Sequence, residues 1–513
     1  MKLRYLFSEM PYAAALFDPY LKNRCSFCGG DANQEKGTRL DCDRGCQFLV
    51  YCCDRCLEND RAFHEQECKA IRQGKWRSGP MSVNLSVRMA GRMISRYQLD
   101  KGVVDLSLNF PNHIIKNRCF DDLMSHEREL RRSSHHESSY NDLVQAFYSF
   151  FECTELSSAS ISTLRLVFCR LAINGFSLNV RLRAFPDVYE QIGQGLYLNV
   201  SRFNHSCRPS CSYRFDGFRI VVELVDYANT TDARPLSLTK NEFQNLTLSY
   251  GFGLLFNHGT SCSLTEQRRA SLRHRYFFEC RCVLCSDKAL NEIQCDSAPV
   301  ECAQCEAPFV WRQSSLKRSL KLKKTCKCRN AKGSKREEIK RLSRGSDGVK
   351  NLIREWDKFM NFSMAGHDPN EVGYWCQRVM AMASRYWHPV YNLRRGQLTE
   401  KLYVAMRQVT MVDEKEFEGA PQDLDTMLEW GETFLNIYVT YFQLYMLCVA
   451  SYAVEVANLY DLRSRSLKDR ERCQYWYRFA IRTFTERGEI ESAQVVQGYY
   501  RELSAKSGLK HTL

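Results

Sequence analysis

Cysteine and histidine residues near the start of the chain have the spacing of metal ligands. Residues 25 to 68 hold seven cysteines and one histidine in four short pairs, C-x2-C, C-x3-C, C-x3-C and H-x3-C: Cys25 and Cys28, Cys42 and Cys46, Cys52 and Cys56, His64 and Cys68. Thiolates and imidazoles in groups of four are tetrahedral ligands of Zn²⁺. The segment has few apolar residues for a core, and structural zinc contributes about 10–16 kcal/mol to small domains. The spacing therefore predicts two zinc sites, with Cys53 as a spare thiol.

A second group of thiols lies far along the chain. Cys280, Cys282 and Cys285 form C-x-C-x2-C, which is one ligand short of a tetrahedral site. Cys207, in the string Asn-His-Ser-Cys at 204–207, can supply the fourth thiolate. Zinc there would join two distant segments and close a pocket between them.

Two further cysteine pairs leave a fourth metal site open. Cys302 and Cys305 form C-x2-C, and Cys326 and Cys328 form C-x-C, which is a cramped spacing for two ligands of one ion. A disulfide framework is the alternative interpretation of the cysteines at 25–68. The first twenty residues have scattered charges and no small-residue cleavage site of a secretory signal. We therefore expect a reducing compartment, in which metal binding is favoured over disulfides.

Three motifs in a fixed order carry a family resemblance. Asn-His-Ser-Cys-x-Pro at 204–209, the strand-like run Leu246–Tyr250 and the C-x-C-x2-C motif together resemble the SET domain of protein lysine methyltransferases. The cysteine pairs before them resemble a MYND zinc finger, and this combination resembles the SMYD family. The resemblance covers residues 5–285 firmly and the helical remainder loosely. On the MYND pattern the ligand pairs interleave, one ion being held by Cys25, Cys28, Cys52 and Cys56 and the other by Cys42, Cys46, His64 and Cys68.

The resemblance implies methyl transfer from S-adenosylmethionine to a lysine of a histone or another protein. It assigns Tyr250 and Tyr276 to a narrow channel for the lysine, and the methyl donor to Asn174, Asn204, His205 and Phe278, the last stacking on the adenine. The chemistry suits these residue types. A lysine of pKa near 10.4 is almost wholly protonated at pH 7, and an apolar channel lowers that pKa by desolvation. A tyrosine orients the amine without adding charge.

The chain departs from the family pattern in ways that keep a second interpretation open. No glycine precedes Gly29, so the G-x-G segment that opens SET domains is missing from this sequence. Residues 240–245 stand where G-E-E is common, and Ser210 stands where asparagine is usual. The alternative is a degenerate SET and MYND scaffold that recruits partners through its finger and helical repeats. Such fingers resemble modules that bind proline-rich peptides.

Length and pattern predict an α+β protein of three or four domains from 513 residues with 44% hydrophobic content. The resemblance implies a β-rich SET domain, interrupted by the finger and a helical insert and followed by a cysteine-rich post-SET segment. Helical periodicity from residue 349 onward predicts a C-terminal helical domain that resembles tetratricopeptide repeats. The predicted boundaries are an N-terminal SET segment at 1–20, the MYND finger at 21–70, a helical insert at 71–160, the core SET domain at 161–262, the post-SET zinc segment at 263–330, a basic linker at 331–348 and the helical domain at 349–513. Within these, we predict a mobile loop around residues 128–139 and a strand at 220–224.

The positive charge is concentrated in one stretch. The net charge is +14, and residues 312–344 contain fourteen Lys or Arg against two Glu, a local net of +12. The rest of the chain is therefore close to neutral, which disfavours a nucleic-acid-binding protein. Three interpretations of this basic run remain: a solvated linker that adds nothing to a core, a split nuclear-import signal, or a contact with nucleic acid or an acidic partner. We expect a monomer in the cytoplasm and nucleus.

One uncharged run has the length of a membrane span. Residues 434–454 carry no charge over 21 positions. They include polar residues and tyrosines at 438, 441 and 445 that share a helical face, and no basic flank supports insertion. We therefore expect a buried repeat helix and no membrane contact.

Overall fold

A computed structural model of the chain describes residues 2–32, 39–75, 81–100, 118–181, 189–226, 239–250, 264–313, 320–328, 336–361, 369–413, 416–441, 446–463, 466–486 and 489–507. The described chain forms two compact units. The first comprises residues 1–254 and 272–279, and the second comprises residues 255–271 and 280–513.

Short strands form the frame of the first unit. They are β1 (Lys2–Glu9), β2 (Ala13–Leu16), β3 (Leu40–Asp41), β4 (Val50–Tyr51), β5 (Gly175–Arg181), β6 (Tyr189–Leu196), β7 (Asn204–His205), β8 (Cys211–Asp216), β9 (Arg219–Asp226) and β10 (Thr247–Leu248). Two antiparallel three-stranded sheets have the orders β1-β9-β8 and β2-β6-β5, while β3 pairs with β4 and β10 pairs in parallel with β7. The predicted strand at 220–224 is confirmed as part of β9.

Helices of the first unit surround these sheets. They are α1 (Asp54–Arg72), α2 (Met81–Asp100), α3 (Glu127–Arg132), α4 (Ser134–Phe150), α5 (Ile161–Asn174) and α6 (Lys240–Gln244). Phe147 of α4, Leu164 of α5 and Val222 of β9 are buried in one apolar cluster with the sheets. The loop predicted around residues 128–139 is wrong, because most of it lies in α3 and α4 and Leu130 is buried.

A buried ion-pair network joins α1 to α2. Glu67 on α1 accepts hydrogen bonds from Arg88 and Arg92 on α2, and Arg92 also donates to Asp60, with Nη1–Oδ1 at 2.7 Å. Buried charges are tolerated when they are paired and hydrogen-bonded in this way. The network fixes the finger's helix against the helical insert.

The second unit is mainly helical. After α7 (Thr265–Tyr276), which the division between the units crosses, come α8 (Val283–Ser286), α9 (Lys288–Asp296), α10 (Arg336–Arg344), α11 (Ser346–Asn361), α12 (Pro369–Tyr386), α13 (Leu393–Thr410), α14 (Pro421–Tyr441), α15 (Met446–Arg463), α16 (Leu467–Glu486) and α17 (Ile490–Ser507). From α11 onward each helix packs against the next along the chain, as in helical repeats. Trp387, Phe434 and Trp476 lie in their shared core.

Two small sheets complete the second unit. One is antiparallel in the order β11-β12-β13, formed by β11 (Ser297–Glu301), β12 (Pro308–Gln313) and β13 (Leu320–Lys324). The other pairs β14 (Met411–Asp413) with β15 (Glu416–Phe417). The α+β class predicted from sequence is confirmed, with helices dominating the second unit.

The basic run is not the solvated linker that its composition indicates. Its described residues include β13 and α10, Leu320 and Leu322 pack against the helical core, and Leu342 is buried. The predicted import signal consists of the basic pairs at 317–318, 323–324 and 335–336. Of these residues, Lys317, Arg318 and Lys335 lie outside the described part of the chain. The interpretation of this basic run as a linker that adds nothing to a core is therefore wrong.

The uncharged run at 434–454 contributes to two helices. Its first part ends α14 and its last part begins α15, with residues 442–445 outside the described residues. Phe434, Tyr438 and Val454 are buried in the helical core, as expected for repeat helices. Among the residues described, no helix combines the length and apolar content that crossing a membrane requires.

Candidate active site and metal clusters

The Asn-His-Ser-Cys motif begins with a two-residue strand. Asn204 and His205 form β7, whose parallel partner β10 places Thr247 opposite Asn204 and Leu248 opposite His205. The backbone N–H of Ser206 donates to the Leu248 carbonyl at 2.9 Å. This pairing sets Tyr250, two residues beyond β10, beside the motif.

The ring of His205 is fixed at both nitrogens. Its Nδ1 accepts the backbone N–H of Tyr250 at 2.9 Å, and its Nε2 lies 3.3 Å from the Cys207 sulfur. An Nδ1 that accepts leaves Nε2 as the protonated nitrogen of a neutral ring. The ring therefore links the cysteine to the tyrosine segment.

The hydroxyl of Tyr250 points back at the chain before the motif. It donates to the carbonyl oxygen of Phe203 at 2.5 Å. Burial, with a smaller contribution from Tyr276, raises the pKa of Tyr250 to about 12. Tyr250 is therefore a neutral phenol at physiological pH. Its O–H donates to Phe203, and its oxygen lone pairs can accept a hydrogen bond.

Three more aromatic rings surround that of Tyr250. Ring centroids lie 5.0 Å from Tyr276, 6.2 Å from Phe278 and 5.4 Å from His205. Burial raises the pKa of Tyr276 as well. The four side chains form an apolar wall with two hydroxyl groups, which is the composition that desolvates an amine.

A strained residue separates Tyr276 from Phe278. Phe277 has φ of 60°, a left-handed conformation that is costly for a bulky residue. Its N–H still closes the last turn of α7 by donating to Arg273, and its ring packs 5.6 Å from His126. The reversal of the chain at Phe277 lets both flanking rings contact the Tyr250 and His205 pair.

The two asparagines assigned to the methyl donor differ in environment. Asn204 is exposed at the start of β7. Asn174 ends α5 and is buried, and its amide nitrogen donates to the carbonyls of Met124 and Arg170 at 2.8 Å each. The amide hydrogens of Asn174 therefore tie α5 to the segment before α3, whereas the side chain of Asn204 is exposed.

Sequence reasoning missed a buried carboxylate behind the motif. Glu9, at the end of β1, accepts the backbone N–H groups of Asn199 and Val200 at 3.0 Å each. Burial raises its pKa to about 7, although these hydrogen bonds oppose the shift. Glu9 thus holds the segment that leads into β7, and an isolated acidic residue in the first strand gives no signal of this in sequence.

Ser210, a departure from the family pattern, has a clear structural role. Its hydroxyl accepts the N–H of Thr247 at 2.8 Å, and its own N–H donates to the Thr247 hydroxyl at 3.1 Å. These reciprocal bonds fasten β10 to the end of the motif. A serine therefore holds the strand that positions Tyr250.

The first finger cluster combines the first and third ligand pairs along the chain. Cys25, Cys28, Cys52 and Cys56 place their sulfurs within 4.8 Å of one another, with 3.7 Å from Cys28 to Cys52 and 3.6 Å from Cys52 to Cys56. Tetrahedral zinc with bonds near 2.3 Å separates its sulfurs by about 3.8 Å. The spacing of this cluster fits the ion.

The second finger cluster is fully buried. Cys42, Cys46, His64 and Cys68 lie together, with His64 Nε2 at 3.4 Å from both the Cys42 and Cys46 sulfurs. His64 and Cys68 are four residues apart and share one face of α1. The structure thus groups the eight ligands in the interleaved pairs that the MYND pattern implies.

A carboxylate completes this second cluster. Glu67 Oε2 lies 3.1 Å from His64 Nδ1, so the other ring nitrogen faces the cysteines. Metal-binding histidines characteristically have such a partner, which fixes the ring orientation. Glu67 and its pairs with Arg88 and Arg92 were not found from sequence, although an acidic residue three positions after a ligand histidine is a usable signal.

The C-x-C-x2-C motif is compact. The sulfurs of Cys280, Cys282 and Cys285 lie within 4.8 Å of one another in the second unit. Arg269 donates to the carbonyls of Cys280 and Cys285 at 3.0 and 3.1 Å, which braces this segment against α7. Cys207 belongs to the first unit, where it contacts His205.

Comparison with known proteins agrees with these motifs. The chain is 28% identical to the human histone-lysine N-methyltransferase SMYD3 over 287 residues, 54% of each chain. It is 26% identical to mouse histone-lysine N-methyltransferase Smyd1 over 283 residues, 55% of this chain and 50% of the relative. It is 22% identical to pig N-lysine methyltransferase SMYD2 over 460 residues, 89% of this chain and 83% of the relative. No protein-family model matches the chain.

The chain is therefore similar in sequence to lysine methyltransferases of the SMYD class. The chain spans about half the length of the first two relatives. The resemblance to the SMYD family drawn from the motifs is confirmed by these similarities and by a structure whose Cys/His clusters fit a MYND finger.

Proposed function

We propose that this chain is an S-adenosylmethionine-dependent protein-lysine N-methyltransferase. The observation that carries the proposal is the joining of Tyr250, Tyr276, Phe278 and His205 into one aromatic wall beside the Asn-His-Ser-Cys motif. The printed names of the similar proteins, lysine methyltransferases of the SMYD family, support it.

The chain's own residues suit the alignment of a lysine amine. The Tyr250 oxygen accepts an amine hydrogen while its own O–H donates to the Phe203 carbonyl. Because the pKa of Tyr250 is about 12, the tyrosine is no base at neutral pH and the amine loses its proton to solvent before transfer. The surrounding rings exclude water, which favours the neutral amine. Catalysis is then chiefly positioning.

The residues also fit the methyl donor. S-adenosylmethionine, when bound, supplies the methyl group and a sulfonium charge. The exposed amide of Asn204 is available for the polar end of such a ligand, and the Phe278 ring for its adenine. Asn174 holds α5 in place through its amide nitrogen, and its amide oxygen would contact the methyl donor.

We also propose three structural zinc ions. Two occupy the finger clusters, whose ligand spacings support tetrahedral coordination. The third is held by Cys207, Cys280, Cys282 and Cys285, for which the compact C-x-C-x2-C segment supplies three thiolates. The proposed substrates are lysines of histones or other proteins, and the proposed ligands of the finger are proline-rich peptides. We also propose that the protein is a monomer in the cytoplasm and nucleus.

Methyl transfer to protein lysines tests the function. Tyr250→Phe keeps the ring and removes the hydroxyl, so the rate of transfer to a protein array should fall about a hundredfold while donor binding is kept. The matched control is Tyr148→Phe, because the Tyr148 hydroxyl also donates to a backbone carbonyl, that of Ala159 at 2.7 Å, away from the site. Equal activity of the two variants would contradict the assignment of Tyr250.

A further inference from the structure

The three-stranded sheet of the second unit brings two cysteine pairs to one of its ends. Glu301 of β11 pairs with Pro308 of β12, and Phe309 of β12 pairs with Lys324 of β13. The turn after Glu301, which holds Cys302 and Cys305, therefore lies beside the segment after Lys324, which holds Cys326 and Cys328. The register of the strands therefore brings the two cysteine pairs together, although they are about twenty residues apart in sequence.

Backbone hydrogen bonds shape both segments. The N–H of Cys302 donates to Ala307 at 2.9 Å and that of Glu306 donates to Cys302 at 2.8 Å, with Glu306 in a left-handed conformation at φ 55°. The Thr325 hydroxyl donates to the Pro308 carbonyl at 2.7 Å. The turn is thus closed on itself and the chain after β13 is fastened to β12, which points the cysteines of both segments at a shared space.

The sulfur positions suit one metal ion. The four sulfurs lie within 4.8 Å of one another, and a tetrahedral zinc–thiolate centre separates its sulfurs by about 3.8 Å. The longest sulfur separation therefore needs to contract by no more than about 1 Å to reach this geometry. The C-x-C spacing of Cys326 and Cys328 is no obstacle, since both sulfurs already fall within this distance.

The surrounding charge favours the same ion. Four thiolates around Zn²⁺ carry a formal charge of −2, which nearby cations stabilise. Lys327 lies between two of the ligands in sequence, and the ammonium group of Lys324 donates to the Cys328 carbonyl. Part of the basic run therefore has a local electrostatic reason for its position.

Three of the four cysteines at this end of the sheet lie outside the apolar core. The buried side chains of the sheet, Ala298, Val300, Phe309 and Trp311, pack into the helical core, and Trp311 donates to the Tyr386 carbonyl at 3.0 Å. Cys305 is exposed, and Cys326 and Cys328 are half-buried. A bound metal would supply the closure that apolar packing supplies elsewhere in the sheet.

We propose that Cys302, Cys305, Cys326 and Cys328 bind a structural Zn²⁺ that is additional to the three zinc ions named above. The ion clamps the β11–β12 turn to the end of β13 and so fixes the strand that presents Lys321 and Lys323 to solvent. The proposal does not depend on methyltransferase activity.

Zinc content of the purified full-length protein tests this site. The double variant Cys326→Ser with Cys328→Ser should contain one zinc fewer per chain than the wild type by elemental analysis. The matched control is Cys119→Ser with Cys153→Ser, which changes two thiols outside every cluster and should keep the wild-type content. An unchanged zinc content in the first variant would overturn the proposal.

A second measurement uses only the wild-type protein and so does not depend on how a variant folds. Under reducing conditions, which exclude disulfides, alkylation of exposed Cys305 should be at least tenfold slower than that of exposed Cys153, and a strong chelator should remove the difference. Alkylation of Cys305 as fast as Cys153 before chelation would equally overturn the proposal.

Discussion

The hydroxyl of Tyr250 has one proton, which it donates in a hydrogen bond to the Phe203 carbonyl. The Tyr250 oxygen can still accept a hydrogen bond at the aromatic wall, and the hydroxyl does not ionise at neutral pH. Tyr250 and His205 were predictable from sequence, because each belongs to a short motif that can be recognised without knowledge of the fold. The Phe203 carbonyl, the two engaged nitrogens of His205 and the left-handed Phe277 were not predictable, because each depends on contacts between separate segments.

A pH profile separates the roles of lysine and tyrosine. Burial raises the pKa of Tyr250 to about 12, so the tyrosine stays protonated while a lysine of pKa near 10.4 becomes neutral. The value of kcat/KM should therefore rise about tenfold per pH unit from neutral pH toward the amine pKa. The Tyr250→Phe variant should show the same rising limb at a lower level. A falling limb below pH 10 that disappears in this variant would contradict the neutral, positioning role.

At the scale of elements, α1 supplies both metal ligands and the network that orients them. His64 and Cys68 share one face, and Glu67 joins His64 to Arg88 and Arg92 of α2. The ligand pairs were predictable from their spacing. The coupling of finger to helical insert was not, because α2 carries no motif that marks its arginines as partners of Glu67.

Replacement of Glu67 by glutamine tests this coupling. The variant loses the charge that orients His64 and pairs the two buried arginines, so the zinc affinity of the second finger cluster should fall about 10- to 100-fold. The measurement is the rate and extent of zinc transfer to a competing chelator. Glu65→Gln is the matched control, since Glu65 lies on the same helix and makes only partly exposed ion pairs with Arg44 and Lys69. Identical zinc transfer from both variants would show that Glu67 does not support the site.

At the scale of the whole molecule, the chain comprises a first unit of sheets and finger and a second unit of helices and the small β11-β12-β13 sheet. The helical repeats were predictable from their periodicity. The basic run was misread because its charge masked a period-two pattern. Leu320 and Leu322 alternate with Lys321 and Lys323, which is the pattern of a half-buried strand. Composition alone therefore predicted a linker in the basic run, where the structure has β13 and α10.

Truncation of Leu342 measures how far this part of the basic run contributes to the core. The side chain is 4% exposed on α10, so Leu342→Ala should lower the free energy of unfolding of the second unit by about 2–5 kcal/mol. Lys340→Ala, an exposed change on the same helix, should stay within about 0.5 kcal/mol of the wild type. Urea denaturation followed by circular dichroism provides the comparison. Equal midpoints for the two variants would restore the linker interpretation.

The most direct measurement for the proposed function is a calorimetric titration of the full-length chain with S-adenosylmethionine. We predict one binding site per chain, with weaker binding in Asn204→Ala because the exposed amide beside His205 is removed. Asn351→Ala, an exposed change on α11, should bind like the wild type. Absence of binding to the wild-type protein would contradict the methyltransferase and leave a SET and MYND scaffold that recruits protein partners.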